Sequence, residues 1–393
     1  MRTEKENDVL VAYPEGRISS ANAAEMRSEL FACRSADPGR ALVIDAGGLE
    51  YISSAGLRVL LQLAKEQGDA LTVRNVTPEV YEIFEVTGFT SILTVKRKLR
   101  EISVDGCEVI GSGAIGTVYR VDEDTVVKVY EIPDCIAMIE NEQRRAKQAF
   151  LKGIPTAISY DVVKVGDKFG SVFEMLKASN YNDLLRSAPE RKEEILRSYA
   201  HFLRQVHAVE AEPGELPDAR AVYMGYLAAL REYLPQDLFD RLKALFSAMP
   251  ENLHLIHGDI NMKNIKLSGN EPMLIDMETL STGDPVFDLQ GLYVTYQLFP
   301  EDDPGNLQEF CGLTEALGDA VWNLALEYYF DDRGPSALSA AIPKIRIVAC
   351  VRFLQLICLL DIGKADLKQL RTAHALARLR ELAWSVDSLE IGT

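Results

Sequence analysis

The sequence predicts two domains of different class: an α/β domain over residues 1–101 and an α+β domain with two lobes over residues 102–393. In the first domain, short apolar runs alternate with helical patterns, as in a sheet covered by helices. The second begins with three β-prone runs around a glycine-rich turn, and from Asn182 to Ser247 its hydrophobic period is helical. We therefore expect a β-rich lobe at about 102–177 and a helical lobe at about 178–393.

Composition and charge limit the possible partners. The 393 residues are 47% hydrophobic and 26% charged, which is typical of globular proteins with sizeable cores. The net charge of −17 opposes binding to a phosphate backbone, so we expect no nucleic-acid partner. A basic run from Lys96 to Arg100 lies beside this acidic background, and we expect it to be a solvated linker or an interdomain contact.

We expect a cytoplasmic protein without membrane contact. The first residues lack the apolar stretch of a signal peptide. The apolar segment Ile345–Leu360 is interrupted by Arg346 and Arg352, which favours a buried helix over a membrane span. The six cysteines show no metal-binding spacing, so they are expected to be reduced core thiols.

The first domain has a clear order of strands and helices. Strands are expected at the β-prone runs Val9–Tyr13, Ala41–Asp45 and Leu71–Val76. Helical patterns lie between and after them, at Ala23–Ala32, around Leu57–Ala64 and from Pro78 up to Gly88.

The stretches LVIDAGGLEYISSAGLRVLL and NVTPEVYEIFEVTGFTSIL resemble the STAS domain, the module of anti-sigma factor antagonists. In that family a strand ending in Asp or Asn leads to a D-S-S-G or D-S-T-G loop, whose first Ser a partner kinase phosphorylates. The resemblance matches Asp45, Ser54 and Gly56 to this pattern, while Ser53 replaces the loop Asp. It implies a protein partner and phosphorylation of Ser54, which would add about two charges at a helix start. Alternatively, Ser53 or Ser54 only caps the helix.

A glycine-rich hairpin is predicted at the start of the second domain. Gly111, Gly113 and Gly116 form G-x-G-x-x-G, and the β-prone TVYRV that follows indicates a strand instead of a dinucleotide-binding helix. Backbone N–H groups of this loop, including that of Ser112, could lie over the phosphates of ATP, and Val118 could cap the adenine.

Lys128 is predicted to pair with the nucleotide phosphates, because it lies on the third strand of the lobe. The alternative is a solubilising charge at a strand edge. A lysine in this role needs an acidic partner on the next helix, where we favour Glu142 and keep Glu140 as the alternative. A second hairpin leads to a hinge, where the backbone from Glu174 to Leu176 would face the adenine.

The stretch from Leu255 to Leu289 concentrates polar residues suited to phosphoryl transfer. Asp259 could accept the proton of an attacking hydroxyl, and Asn264 and Asp276 could hold magnesium on ATP. The alternative is two loops with ordinary capping residues.

HGDINMKN resembles the H-x-D-x-x-x-x-N motif of the aminoglycoside phosphotransferase and choline kinase superfamily, a branch of the protein-kinase-like fold, and LIDMETLSTGDPVFDL resembles its next motif. The resemblance implies Asp259 as catalytic base, Asn264 and Asp276 as magnesium ligands, and Asp288 as a brace for the loop. His207 is similar to a core histidine of the family. The chain has no D-F-G motif and no A-P-E with an activation loop, which favours the small-molecule branch over protein kinases.

We expect the chain to transfer the ATP γ-phosphate to a hydroxyl of an unidentified small molecule. The superfamily binds its acceptor with late helices, and several residues could form an acidic, aromatic pocket there or simply be core: Glu278, Asp284, Tyr293, Tyr296, Glu327, Tyr328 and Tyr329. Two alternatives remain. The kinase-like fold only senses nucleotide while the STAS domain binds a partner, or it phosphorylates protein, with Ser54 as a candidate.

Overall fold

The computed structural model describes residues 1–6, 8–68, 71–113, 115–133, 135–176, 178–269 and 271–392. The chain divides into two compact units, Met1–Ile102 and Ser103–Thr393. Each unit has its own buried core of apolar side chains.

The first unit is an α/β domain built on a sheet of mixed direction. Its strands are β1 (Arg2–Glu6), β2 (Val9–Tyr13), β3 (Glu15–Ile18), β4 (Ala41–Asp45), β5 (Gly48–Ile52), β6 (Thr72–Val76), β7 (Thr94–Arg97) and the short β8 (Arg100–Glu101). Its helices are α1 (Ala23–Ala36), α2 (Ser54–Gln67) and α3 (Pro78–Val86), followed by a 3-10 turn at Phe89–Ser91. The predicted α/β class is confirmed.

Five strands pair in the order β1-β2-β4-β6-β7, with β1 antiparallel to β2 and the other neighbours parallel. Strands β3 and β5 form a separate parallel pair. Parallel strands need helices on their faces, which explains the apolar run of β4. Leu42 of β4, Leu63 of α2 and Phe84 of α3 are all fully buried in this core.

The basic run begins inside the sheet. Lys96 and Arg97 belong to β7, so the expected linker starts only after Arg97. The Arg97 guanidinium lies 3.8 Å from the centroid of the Tyr81 ring and 3.6 Å from a carboxylate oxygen of Glu85. These contacts join Arg97 of the strand to α3 within the first unit.

The second unit begins with the predicted β-rich lobe. Its strands are β9 (Glu108–Ser112), β10 (Gly116–Arg120), β11 (Thr125–Tyr130), β12 (Asp161–Val165) and β13 (Lys168–Glu174), and helix α4 (Ile136–Leu151) crosses between them. The strands pair antiparallel in the order β12-β13-β11-β10-β9. Gly166, with a φ of 61°, turns the hairpin between β12 and β13 as the sequence predicts.

The helical lobe follows from residue 179. Its helices are α5 (Tyr181–Ser187), α6 (Lys192–His207), α7 (Ala219–Ala229), α8 (Gln236–Ala248), α9 (Val286–Tyr293), α10 (Phe299–Glu301), α11 (Gly305–Cys311), α12 (Glu315–Tyr329), α13 (Gly334–Leu354) and α14 (Lys368–Leu382). Short strands sit between α8 and α9 and before α5: β14 (Ser179–Asn180), β15 (Leu255–Ile256), β16 (Ile265–Ser268), β17 (Glu271–Leu274) and β18 (Ser281–Thr282). Strands β14, β16 and β17 form one small sheet, and β15 pairs with β18.

The late apolar segment is buried, as predicted. Ile345, Val348 and Val351 of α13 have no exposed surface. Within the described ranges, no helix combines the length and apolarity needed to cross a membrane. All six cysteines are described, and each is a free thiol.

Candidate active site

The glycine hairpin is closed by its own backbone. The N–H of Gly113 donates to the carbonyl of Gly116 across 2.9 Å. A Cβ on Gly116 would lie 2.4 Å from the carbonyl oxygen of Val129 on β11, so only glycine allows this strand approach. An added Cβ would meet no close contact at Gly111 or Gly113, so packing does not require glycine at these two positions. Ala114 of the loop lies outside the described residues.

Lys128 occupies the centre of the sheet, opposite Val118 on β10 and Ser171 on β13. Opposed residues share one face of a sheet, so Val118 and Lys128 point to the same side. The Lys128 ammonium lies 2.7 Å from Asp276 Oδ1 and 3.6 Å from Glu142 Oε1. Burial works against the charged form, but the carboxylates of Asp276 and Glu142 outweigh it and raise the pKa of Lys128.

Glu142 is held in place from its other side. The Tyr130 hydroxyl donates to Glu142 Oε2 across 2.8 Å and lies 3.3 Å from the hydroxyl of Ser171. Glu142 is only 6% exposed, whereas Glu140 points to solvent. The structure therefore brings Glu142 to Lys128 and leaves Glu140 away from it. Tyr130 was missed from the sequence, although it lies two residues after Lys128 on the same strand face.

Asp276 has a strained backbone, with a φ of 63°, in the left-handed region that non-glycine residues rarely adopt. The turn Met277–Thr279 follows it and packs against α4, where the Arg145 guanidinium donates to the carbonyl of Glu278. Burial, and then the negative charge of Asp276, raise the pKa of Glu278. The helix that carries Glu142 is thus fixed directly to the Asp276 turn.

The loop after β15 carries Asp259 and Asn264 close together. The Asn264 side-chain amide donates to the backbone oxygen of Asp259 at 2.9 Å and to its Oδ2 at 3.2 Å. His257 Nδ1 accepts from the Asp259 N–H at 3.3 Å, which leaves Nε2 to donate to the Ile275 carbonyl at 2.9 Å. The Ile275 N–H in turn donates to the Asn264 carbonyl at 2.9 Å, so this loop lies beside Asp276.

Asp288 braces the same loop from a fully buried position. Its carboxylate accepts the N–H groups of His257 and Gly258 at 2.8 and 2.6 Å. His207 Nε2 lies 3.0 Å from Oδ2, and the other nitrogen of that ring bonds to the Tyr329 hydroxyl. Burial alone would raise the pKa of Asp288, but the bonds and charges from the histidines outweigh it and lower the pKa. The predicted structural roles of Asp288 and His207 match these contacts.

Most of the residues considered for an acceptor pocket are buried, which agrees with the alternative that they belong to the core. The Tyr296 hydroxyl donates to Asn182 at 3.0 Å and accepts the Met262 N–H at 3.3 Å. It therefore stabilises the loop that carries Asp259 and Asn264. Asp284 accepts backbone N–H groups near the chain end, including that of Gly392 at 3.0 Å. The buried members of the set are core: Asp284, Tyr293, Tyr296, Tyr328 and Tyr329. Aromatic side chains at helical spacing fill the interior here.

The predicted hinge follows β13 directly. Glu174 ends the strand, and the N–H of Met175 donates to the carbonyl of Asp124 across 2.7 Å. This bond ties the hinge to the turn between β10 and β11. Leu176 follows directly and is partly buried.

Asn264 and Asp276 fit a hard divalent cation, because they offer amide and carboxylate oxygens, the ligands that Mg²⁺ prefers. The hydrogen bonds of Asn264 use its amide nitrogen, which turns its side-chain oxygen away from Asp259. The Asp276 side chain is 39% exposed, and the bond to Lys128 uses one of its two oxygens.

The serine loop of the first unit begins a helix. Ser53 is the N-cap of α2 and accepts the Gly56 N–H at 3.4 Å, while Ser54 is the first helical residue and is exposed. A Cβ on Gly56 would lie 2.6 Å from Ile18, so glycine is required for the packing of this turn. Asp45 lies at the end of β4, where it accepts the Asn75 side-chain amide at 2.7 Å.

Each of the two units is similar to known proteins. The first is similar to a protein of Bordetella bronchiseptica, strain RB50, provisionally named as the anti-sigma factor antagonist BtrV. The two are 44% identical over 97 residues, which cover 23% of this chain and 81% of that protein. A solved structure of a thermostable mutant of aminoglycoside phosphotransferase APH(4)-Ia, in ternary complex with AMP-PNP and hygromycin B, has a TM-score of 0.50. It is 13% identical and the match covers 72% of this chain and 94% of that one, so this likeness concerns the fold alone.

Two family models match the chain. The STAS domain model matches residues 1–102, and the model of the phosphotransferase enzyme family matches residues 106–320, which is more than half of the chain. The second unit is therefore an aminoglycoside phosphotransferase-like kinase domain with a β-rich lobe and a helical lobe. The chain belongs to the phosphotransferase enzyme family, and it carries a STAS domain of the anti-sigma factor antagonist type ahead of that domain.

Proposed function

We propose that the second unit transfers the γ-phosphate of ATP to a hydroxyl group of a small molecule. The observation that carries this proposal is the 2.7 Å ion pair between Lys128 and Asp276. It joins the sheet under the glycine hairpin to the turn beside the Asp259 loop, which supports a shared site for the nucleotide phosphates and the acceptor hydroxyl.

The contacts support the following roles. Lys128 holds the phosphates, and Glu142, fixed by Tyr130, orients its ammonium. Asp259 takes the proton of the acceptor hydroxyl while the new O–P bond forms and the bond to the ADP oxygen breaks. Asn264 and Asp276 would hold magnesium, which offsets the phosphate charge when bound. The glycine hairpin would lie over the phosphates, and the adenine would lie between Val118 and the hinge at Glu174–Leu176.

A screen with γ-labelled ATP and magnesium tests this proposal. The panel contains aminoglycosides, hygromycin B included, together with choline, sugars and amino acids. We expect the label on one class of hydroxyl acceptor, in a product that forms only with magnesium. Label found solely on water or on the protein itself would contradict a small-molecule phosphotransferase.

A second candidate function concerns the STAS domain. Its 44% identity to a protein named as an anti-sigma factor antagonist supports a protein partner, and Ser54 is exposed at the start of α2. A phosphate there would lie against the free N–H groups of a helix start, which favour negative charge. Intact-mass measurement after incubation with ATP and magnesium, with and without a partner kinase, tests it. We expect one added phosphate that Ser54→Ala removes; no added phosphate with any kinase would contradict it.

A further inference from the structure

Tyr296 lies where α9 changes its geometry. The helix runs into a π-helical turn, Val294–Leu298, and such turns occur often at functional sites. The Tyr296 side chain is 2% exposed, so its hydroxyl has to find its hydrogen-bond partners inside the protein. It has two partners, the side chain of Asn182 and the backbone N–H of Met262.

The Met262 N–H belongs to the loop that carries the proposed base. Met262 opens the 3-10 turn Met262–Asn264, shortly after Asp259. Three neighbouring N–H groups bond to acceptors within the loop itself, those of Asn261, Lys263 and Asn264. The Met262 N–H instead donates to the Tyr296 hydroxyl, 34 residues further along the chain. The position of this turn therefore depends on a residue of another element.

Asn182 fixes the direction of the Tyr296 hydroxyl. A backbone N–H can only donate, so the hydroxyl accepts from Met262 and gives its own proton to Asn182 Oδ1, 3.0 Å away. Asn182 is 1% exposed and lies in the first turn of α5. Asn180 and Asp183 close that helix start with two reciprocal hydrogen bonds of 3.1 Å. The acceptor of the Tyr296 proton is thus held in place.

The same turn sets the position of Asn264. Its side-chain amide lies 2.9 Å from the backbone oxygen of Asp259 and 3.2 Å from Oδ2 of that carboxylate. A shift of the turn would move Asn264 away from both oxygens. Outer hydrogen bonds that orient a metal ligand matter greatly, since losing one typically costs about tenfold to a hundredfold in metal affinity or activity.

We propose that Tyr296 is a positioning residue of the phosphotransfer reaction. Its hydroxyl, directed by Asn182, holds the Met262–Asn264 turn so that Asn264 faces both Asp259 and the magnesium of ATP. This inference rests on the proposed function. It gives a role in the reaction to a residue outside the motifs that mark the site, and that residue acts only through the turn.

Tyr296→Phe tests the proposal, because it keeps the ring and removes only the hydroxyl. The affinity of the full chain for AMP-PNP is measured by calorimetry with and without Mg²⁺. We expect an unchanged affinity without the metal, and a gain on adding Mg²⁺ that is about tenfold smaller than in the wild type. Hydrogen exchange of the peptide that contains the Met262 amide, followed by mass spectrometry, should become faster, since this amide loses its acceptor.

Tyr199→Phe is the matched control. Tyr199 is a fully buried tyrosine of the same lobe, and among the described residues its hydroxyl has no hydrogen-bond partner. Its loss should therefore change none of these values. Asn182→Leu should reproduce the effect of Tyr296→Phe. The double variant should be no worse than the more severe single one, because both changes break the same series of hydrogen bonds.

Three results would overturn the proposal: a Mg²⁺ effect in Tyr296→Phe equal to that of the wild type, unchanged exchange at Met262, or additive losses in the double variant. Equal losses of AMP-PNP affinity with and without the metal would also overturn it, because they indicate general destabilisation. None of these measurements needs turnover. A smaller Mg²⁺ effect and faster exchange in a chain that transfers no phosphate would support the positioning of Asn264 by Tyr296 and refute only the proposed function.

Discussion

Lys128 has two acidic neighbours with different tasks. Asp276 is closer, at 2.7 Å, but its side chain is 39% exposed. Glu142 is 3.6 Å away, yet it is buried and fixed by the Tyr130 hydroxyl. In the proposed mechanism, nucleotide and magnesium would occupy Asp276, and Glu142 would be the partner that keeps the Lys128 ammonium in place.

Glu142→Gln should therefore weaken catalysis without unfolding the protein. We expect kcat/KM for ATP to fall about tenfold to a hundredfold, the scale of a misplaced catalytic group. Glu140→Gln, two residues away on the solvent side of α4, is the matched control and should retain full activity. Equal losses in both variants, measured by steady-state kinetics, would show that Glu142 does not position Lys128.

The sequence predicted single residues best where a motif fixes their spacing within one loop. Asp259 and Asn264 are five positions apart, and a tight loop alone brings their side chains together. Arg145 and the carbonyl of Glu278 are 133 positions apart, and no local pattern indicates that contact. Tyr130 is an intermediate example: no motif marks it, but the alternation of side chains along β11 could have predicted that it lies on the same face as Lys128.

At the scale of elements, the hairpin between β9 and β10 depends on how closely two strands approach. Gly116 lies against the Val129 carbonyl of β11, whereas Gly113 at the tip meets nothing within 4 Å. Gly116 is therefore needed for the close approach of the strands, whereas Gly113 is not, although both are glycine positions of the motif.

Gly116→Ala should push β10 away from β11 and lower the free energy of unfolding by about 1–3 kcal/mol, the usual cost of overpacking. AMP-PNP affinity should fall with it, since the hairpin loses its position above the sheet. Gly113→Ala is the control for stability, measured by urea unfolding, and should change it little. A Gly116→Ala protein with wild-type stability would contradict the close approach.

Element types were predicted well, because strands and helices have different hydrophobic periods. The sequence did not predict which faces of the late helices are buried in the core. Buried aromatic residues such as Tyr296 and Tyr329 have the same spacing as pocket-lining ones, and only their hydrogen bonds to Asn182 and His207 show that they are core.

At the scale of the whole second unit, Asp288 connects distant parts of the helical lobe. It joins α9 to the Asp259 loop and to α6, and His207 extends the network to α12. Removing a buried charge of this kind leaves its donors without a partner.

Asp288→Asn should lower the free energy of unfolding by about 3–5 kcal/mol at neutral pH. Because the folded-state pKa of Asp288 lies below its ordinary value of 3.8, the carboxylate stabilises the fold above that pH. The contribution is lost as the pH falls through the lower folded value, so the two proteins should converge in stability below about pH 4. Asp240→Asn, an exposed change on α8, should alter stability by less than about 0.5 kcal/mol. Urea unfolding at several pH values checks this, and a pH-independent difference would contradict it.

The two-unit organisation and both fold classes could be predicted from the sequence, since each unit carries a distinct motif on a distinct pattern of elements. The chemistry of the acceptor could not be predicted from the sequence. No motif in the late helices specifies an acceptor, and the net charge of −17 does not identify one.

The most direct test of the phosphotransferase account is the magnesium-dependent rate at which Asp259→Asn consumes the γ-phosphate of ATP, with the best acceptor from the screen. We predict a loss of at least about a hundredfold, the scale of a general base, with AMP-PNP affinity unchanged. An Asp259→Asn protein that binds AMP-PNP normally and turns over at the wild-type rate would contradict the account.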